Sequence, residues 1–278
     1  MSPTPQRIEI PRFPGGKRLA VTTSWDDGHV YDRWIVEVFN DLGLKGTFNL
    51  NSGTLSRTGI RPEATEGPLD VAEVAALFAG HEVAVHTVTH PCLDRLDPAQ
   101  IVTEVQEDRR ALEALVGYPV RGMAYPCGAY DARVIDVLRM LGIVYSRTVE
   151  SGITHFPPAE PLSWGATMHV ISTSPAPVPE RWEAVYSNPW ASGVFFVWGH
   201  SYEFADDRPA IRRLFTPLAG KPDVWYCTNI ELFDYEAARQ RLVIAVNKAT
   251  VYNPSAISVT ISVDGTLSEA GPGVTRVG

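Results

Sequence analysis

The stretch LAVTTSWDDGHVYDRWIVEVFNDLGLKGTFNL, residues 19–50, holds one complete strand–helix–strand unit. Leu19 to Trp25 is a β-rich apolar run, and Asp26-Asp27-Gly28 marks a turn at its end. From Tyr31 to Leu42 the apolar residues Trp34, Ile35, Val38, Phe39 and Leu42 recur at helical spacing. Gly43 stops this helix, because glycine takes the left-handed backbone of a helix end at little steric cost. Lys45 to Leu50 reads as a second strand. Such a unit, repeated, builds a parallel sheet covered by helices.

The alternation continues downstream. After the polar loop Asn51 to Pro68, Asp70 caps a helix over Val71 to Phe78. Strands are expected at Glu82–Val85, Val120–Tyr125, Ile143–Ser146, Ala166–Ile171, Gly193–Trp198 and Val224–Tyr226. Helices are expected at Pro98–Val116, Ala132–Leu141, Pro179–Tyr186, Arg208–Leu218 and Ile230–Ala238. So many units favour a (β/α) barrel over an open sheet. Past Leu242 the texture changes. LVIAVNKATVY and AISVTISVDG flank Asn253-Pro254-Ser255 and read as an antiparallel hairpin, with Asp264-Gly265 as the next turn. The expected division is an irregular lead-in over 1–18, a barrel over 19–240 and a β-hairpin appendage over 241–278.

The full chain has 278 residues, 24 Lys+Arg against 32 Asp+Glu and a formal net charge of −8. Its acidic balance, with no Lys/Arg run, argues against nucleic acid, whose phosphates call for a basic stripe. At 45% hydrophobic residues it has material for a large core, which excludes disorder as the main state. No apolar run reaches the ~18 residues that span a bilayer. Residues 1–20 hold no signal-like apolar stretch. No membrane partner and a cytoplasmic location are therefore expected. Cys92, Cys127 and Cys227 contain no C-x-x-C pair, so neither a cysteine zinc site nor a disulfide framework is indicated.

The polar residues that end the strands carry the chemistry. Asp26-Asp27 ends the first, His86-Thr87-Val88-Thr89-His90 the third, Pro126-Cys127-Gly128 the fourth, Arg147 the fifth and Gly199-His200-Ser201 a late one. In β/α barrels catalysts and ligands collect at these ends. On a straight strand His86 and His90 would lie ~13 Å apart. In a helical turn, residues four apart share a face at ~6 Å, so a shared metal demands a turn directly after the strand. On spacing alone, two ordinary loop histidines are the alternative. A carboxylate from Asp26-Asp27 completes a two-His, one-carboxylate set for Zn²⁺ or a similar ion, and the other Asp stays free as a base. His200 is either structural or, in a metal hydrolase, the general acid.

These segments occur in a recognisable order. Ser24-Trp25-Asp26-Asp27-Gly28, His86-Thr87-Val88-Thr89-His90, Tyr125-Pro126-Cys127-Gly128 and Trp198-Gly199-His200-Ser201 resemble the polysaccharide deacetylase (NodB-homology) family, carbohydrate esterase family four. The resemblance spans roughly residues 19–236. It implies an α/β fold, a distorted (β/α)7 TIM-like barrel here followed by a short C-terminal antiparallel β appendage. It also implies metal-dependent removal of N- or O-acetyl groups from an acetylated saccharide. Carried over by position, Asp26 is the base, and Asp27, His86 and His90 hold one divalent ion. Zn²⁺ is the first choice, with Co²⁺, Ni²⁺, Fe²⁺ or Mn²⁺ as alternatives. His200 is the acid, the Cys127 amide helps bind the oxyanion, and Thr87 supports the metal loop.

The sequence also departs from the family. Ala124 stands where an Arg pairs with the catalytic Asp, so Arg147 is the expected substitute and Arg121 the weaker candidate. No clear acid-orienting Asp follows, which leaves Glu203, Asp206 and Asp207. Trp25, Tyr125, Trp164, Trp198 and Tyr202 are candidates for a sugar-stacking surface. Two rivals stand beside the deacetylase: a hydrolase of another amide, such as a cyclic amide, imide or allantoin-like compound, and a non-catalytic carbohydrate-binding barrel. An exposed final strand makes a homodimer a further expectation.

Overall fold

The computed structural model describes residues 7–277. Residues 1–6 of the expected lead-in, and Gly278 of the appendage, lie outside the described residues. The main sheet contains eight strands: β1 Leu19–Asp26, β2 Thr47–Leu50, β3 Glu82–Val85, β4 Gly122–Ala124, β5 Tyr145–Arg147, β6 Met168–His169, β7 Gly193–His200 and β8 Val224–Tyr226. Their order is β5-β4-β3-β2-β1-β7-β6, with β8 added beside β1, and every pairing is parallel. β7 follows β1 along its whole length, from Leu19↔Gly193 to Asp26↔His200. β2 takes the end of β1, and β8 takes its start. A bridge from Arg147 to Trp164 brings the two ends of this path together, so the sheet curls into a half-barrel.

Seven helices connect and cover the strands: α1 Asp32–Leu42, α2 Val71–Leu77, α3 Pro98–Val116, α4 Ala132–Met140, α5 Val178–Tyr186, α6 Arg208–Phe215 and α7 Asn229–Gln240. The expected strand–helix alternation is present, and with it the α/β barrel class. Local chemistry sets the ends. Gly43 closes α1 with φ 67°. Asp97 and Gln100 form a reciprocal capping box at the start of α3, with Pro98 in its first turn.

Alternation along β1 decides what faces the site. Leu19, Val21 and Trp25 join the core between sheet and helices, where Trp25 lies 5.9 Å from both Phe39 and Phe215. Ala20 belongs to the inner core with Phe196, Trp198, Tyr145 and Trp164, which Leu232 and Phe233 of α7 complete. Asp26 continues the inner set.

The appendage is antiparallel but paired differently from the expected hairpin. Val243–Ile244 pairs with Thr250–Asn253, which pairs in turn with Gly273–Arg276. Val259–Val263 pairs with Thr266–Ala270 across Asp264-Gly265, and on its other edge with Ile8–Glu9. The two runs flanking Asn253-Pro254-Ser255 thus lie in different three-stranded sheets. Asn253 explains this: its Nδ2 donates to Ile257 O and Ala270 O, both at 2.8 Å, while its Oδ1 accepts from Ser255 N. The bonds make 253–257 a corner between sheets rather than a tight hairpin turn. Ile8–Glu9 also gives strand structure to part of a lead-in expected to be irregular.

Glu82 ties α7 to the base of the barrel. Its buried carboxylate accepts from Tyr145 Oη (2.8 Å), Thr47 Oγ1 (2.8 Å) and the Ile230 N–H at the start of α7 (2.9 Å). Burial outweighs these bonds and pushes its pKa from 4.5 up to about 7. A raised acid pKa means that stability is fully present below 4.5 and lost as pH rises through 7. Urea unfolding should show the unaltered chain losing roughly 2–3 kcal/mol more than Glu82→Gln between pH 5 and pH 8. Parallel pH profiles for the two proteins would contradict this account of Glu82.

Candidate active site

The strand ends turn sharply where the chemistry collects. Among the described residues, six other than glycine have positive φ, and four of these are Asp27 (79°), Thr87 (69°), His90 (60°) and Cys127 (58°). Left-handed backbone costs a residue with a Cβ about 1–2 kcal/mol. Its concentration at three strand ends makes this end of the sheet the candidate functional site. The turn at Asp27 lets consecutive side chains share one space, whereas a straight strand would send Asp26 and Asp27 to opposite faces.

Asp27, His86 and His90 converge. Asp27 Oδ1 lies 3.5 Å from His86 Nε2 and 3.6 Å from His90 Nε2. The His86 Nδ1 meets the Ala124 carbonyl at 2.8 Å. A carbonyl only accepts, so Nδ1 carries the proton and Nε2 presents a lone pair. Burial, ahead of the opposing carboxylates, lowers the His86 pKa and favours this neutral form. An unprotonated nitrogen therefore faces a carboxylate oxygen, with the candidate ligand atoms of all three residues within 4.8 Å of one another. Two acceptors aimed at one point, with an imidazole fixed from behind by a carbonyl, fit a divalent cation.

Asp26 sits beside them, buried. Its Oδ2 accepts from Arg147 Nη2, and its Oδ1 accepts from Asn49 Nδ2 at 2.8 Å. Burial alone would raise its pKa, but the Arg147 charge, with His86 and His200, overrides this and lowers it to about 2. Arg147 is fully buried, with its guanidinium carbon 4.2 Å from the Trp198 ring centroid. Arg121 pairs instead with Asp234, at 2.8 and 2.6 Å, and makes no such contact.

His200 faces the same space from β7, its Nε2 4.0 Å from Asp26 Oδ2 and from Asp27 Oδ2. Glu203 stands behind it: Oε2 accepts the His200 N–H at 3.0 Å, and Oε1 lies 3.5 Å from Nδ1. Burial pulls the His200 pKa down, but Glu203, Asp26 and Asp27 together leave it raised. Of the three acidic candidates near His200, Glu203 is the one in contact. Asp207 pairs with Arg213.

The family model described as polysaccharide deacetylase matches residues 14–146. The match covers just under half of the chain and ends before Arg147 and His200. Solved structures with TM-scores above 0.5 agree at the level of fold. A Mycobacterium smegmatis protein named as a candidate polysaccharide deacetylase is 17% identical, with TM-score 0.61 over 82% of this chain and 93% of that one. A mutant with restored activity of a Bacillus anthracis carbohydrate esterase family four pseudoenzyme is 18% identical, with TM-score 0.51 over 80% and 69%. A Streptococcus pyogenes deacetylase in complex with acetate is 21% identical, with TM-score 0.45 over 51% of this chain, which spans only 61% of its length. No curated protein matches the chain.

Some partners of this candidate site were not anticipated from sequence. Asn49 bonds Asp26, and Asn51 Nδ2 donates to the carbonyls of His86 and of Thr87, the latter at 3.0 Å. Thr87 Oγ1 accepts the His90 N–H at 3.1 Å. Asp108 of α3 accepts the N–H groups of Ser52 (2.7 Å) and His86 (3.0 Å), and burial raises its pKa to about 6. Its signal was present: Ile101, Val105, Asp108 and Leu112 form one buried helix face, so an acid stands in an apolar stripe.

The expected sugar-stacking surface is corrected. Trp25, Tyr125 and Trp164 are buried to 1% exposure or less and Trp198 to 8%, so no ring face is free for a sugar. Of the five, Tyr202 is exposed, stacked on His200 at 4.8 Å. A groove of about 520 Å³ opens beside the triad, walled by Asp27, His90, Asn51, Thr54, Pro68 and His29. Contact with Cys92, then burial, pushes the Cys127 thiol up to about 11, which makes it a poor ligand at neutral pH.

The Asp26–Arg147 pair gives a stability test. Arg147→Met leaves a buried carboxylate without its cation and should cost about 3–5 kcal/mol in urea unfolding at pH 7. A loss below 1 kcal/mol, within the range of an ordinary surface substitution, would show that Asp26 does not depend on Arg147.

Proposed function

We propose that this chain is a metal-dependent hydrolase that removes acetyl groups, N- or O-linked, from a saccharide. The observation that carries the reading is the separation of two adjacent acids. Asp27 joins two histidines in a cation-shaped donor set, while Asp26 is withheld from it by Arg147 and Asn49. One acid is a ligand and its neighbour a base, as metal-assisted hydrolysis requires. Fold alone would not support activity, since a pseudoenzyme has a similar one.

Asp27, His86 and His90 would hold the ion, with Zn²⁺ as first choice for this donor set. Once bound, a divalent ion polarises an acyl carbonyl and makes a nearby water more acidic. Asp26, kept ionised by Arg147, accepts the proton of the attacking water. Because that pairing also lowers its basicity, Asp26 would depend on the bound ion to make the water acidic enough to give up its proton. The Cys127 amide stabilises the negative charge that develops on the acyl oxygen. His200, with a raised pKa and Glu203 against its Nδ1, protonates the departing amine or alkoxide through Nε2. The groove beside Asp27 and His90 receives the sugar, and the exposed Tyr202 ring lies 6.0 Å from its wall residue His29.

Metal analysis combined with acetate release from a panel of acetylated saccharides tests this. A divalent ion should copurify, chelation should abolish release, and re-addition should restore it. Asp26→Asn should lower kcat by roughly 10²–10⁴ while the ion stays bound. Loss of the ion in Asp26→Asn would mean that Asp26 and Asp27 have exchanged roles. Bound metal without acetate release, but with opening of a cyclic amide or imide, would favour the other amide hydrolase. Bound metal with no hydrolysis at all would favour a binding barrel.

A further inference from the structure

We propose that Cys92 and Cys127 are a redox modification site, closing reversibly into a disulfide that ties the loop after His90 to the turn after β4. The two sulfurs come from different elements. Cys92 immediately precedes the single turn Leu93–Arg95, and Cys127 lies in the turn Pro126–Gly128. Their Sγ atoms are 2.6 Å apart, within about 0.6 Å of the ~2.05 Å disulfide bond. Cys127 is exposed and Cys92 partly so, which admits a small oxidant. Cys227 is buried and serves as an internal control.

With hydrogen peroxide as oxidant, the step balances. The Cys92 sulfur attacks a peroxide oxygen, giving a sulfenic acid and one water, because the Cys127 thiol is held protonated beside it. The second sulfur then displaces the hydroxyl as another water and forms the S–S bond. Two electrons pass from the thiols to peroxide, and both thiol protons leave in water. A dithiol reductant reverses the step by exchange.

The consequence for turnover rests on the proposed deacetylase function. Cys127 supplies the amide placed at the developing oxyanion, and Cys92 follows the proposed ligand His90 by two residues. Drawing the sulfurs together shifts both segments by a fraction of an ångström, and a 1 Å misplacement costs ~10²-fold. Oxidation should therefore lower kcat roughly tenfold with KM unchanged, since the oxyanion exists only in the transition state.

The full chain is treated with hydrogen peroxide, alkylated, digested without reduction and examined by mass spectrometry. The expected product is a Cys92–Cys127 cross-linked peptide, lighter by two hydrogen atoms than its reduced halves and removed by dithiothreitol. Cys227 should remain reduced. Cys92→Ser should abolish the cross-link, keep the basal acetate release and make that release indifferent to peroxide at the same dose. Two thiols that both stay free in excess peroxide, or that accumulate sulfinic acid without a cross-link, would overturn the site. The peptide readout needs no activity, so a cross-linked protein that releases no acetate from any substrate overturns the deacetylase reading alone. A cross-link that leaves kcat unchanged overturns the link to turnover.

Discussion

A charged carboxylate inside a barrel needs a reason to stay charged, and here the reason is Arg147. Desolvating the Asp26–Arg147 pair is expensive, and the attraction between the partners offsets that cost only if the geometry is held firmly. Several elements hold it. β5 ends at Arg147, the Trp198 ring of β7 lies against the guanidinium, and Asn49 of β2 fixes the other carboxylate oxygen. The curled sheet brings these strand ends together around β1. The ion pair and the fold therefore depend on one another.

A second layer holds the histidines. Asp108 reaches from α3 to the His86 and Ser52 amides, and Asn51 takes the carbonyls of His86 and Thr87. Neither Asp108 nor Asn51 is in the proposed ligand set. They fix the backbone from which the rings project, so the rings have little freedom to turn away. The long α3 helix is thus a support for the metal loop as well as a cover for the sheet.

Much of this was legible in the sequence, for physical reasons that differ by element. β7 is buried on both faces and reads as a continuous apolar run, and β1, with Thr22, Thr23 and Ser24 inside it, reads as a β-rich run; in both the polar terminators stand out. α3 carries its own start signal in Asp97-Pro98 and Gln100. The aromatic misreading was avoidable. If Asp26 faces inward, strand alternation sends Trp25 outward to the helices, whatever its affinity for sugars. Arg147 was legible as the last polar residue of a short strand, but its reach to Asp26 depends on how far the sheet curls, which no local pattern encodes. The appendage departs from the expected hairpin because Asn253, a turn-type residue in sequence, bonds the Ile257 and Ala270 carbonyls through its side-chain amide. Asp108 went unnoticed because a single acid in a helix is ordinary until its face is shown to be buried.

The left-handed residues at the strand ends restrict how this site can change over time. At Asp27, the backbone favours glycine or asparagine, while the proposed ligand role demands a carboxylate. No common residue satisfies the backbone better without losing the anionic oxygen. The same conflict holds at His90, where the easier residues carry no imidazole. Gradual drift at these positions therefore has few steps available: a change that relaxes the turn removes the donor, and a change that keeps a carboxylate, such as Asp27→Glu, keeps the strain. The donors and the turns that aim them are thus one feature, and neither can be adjusted without the other.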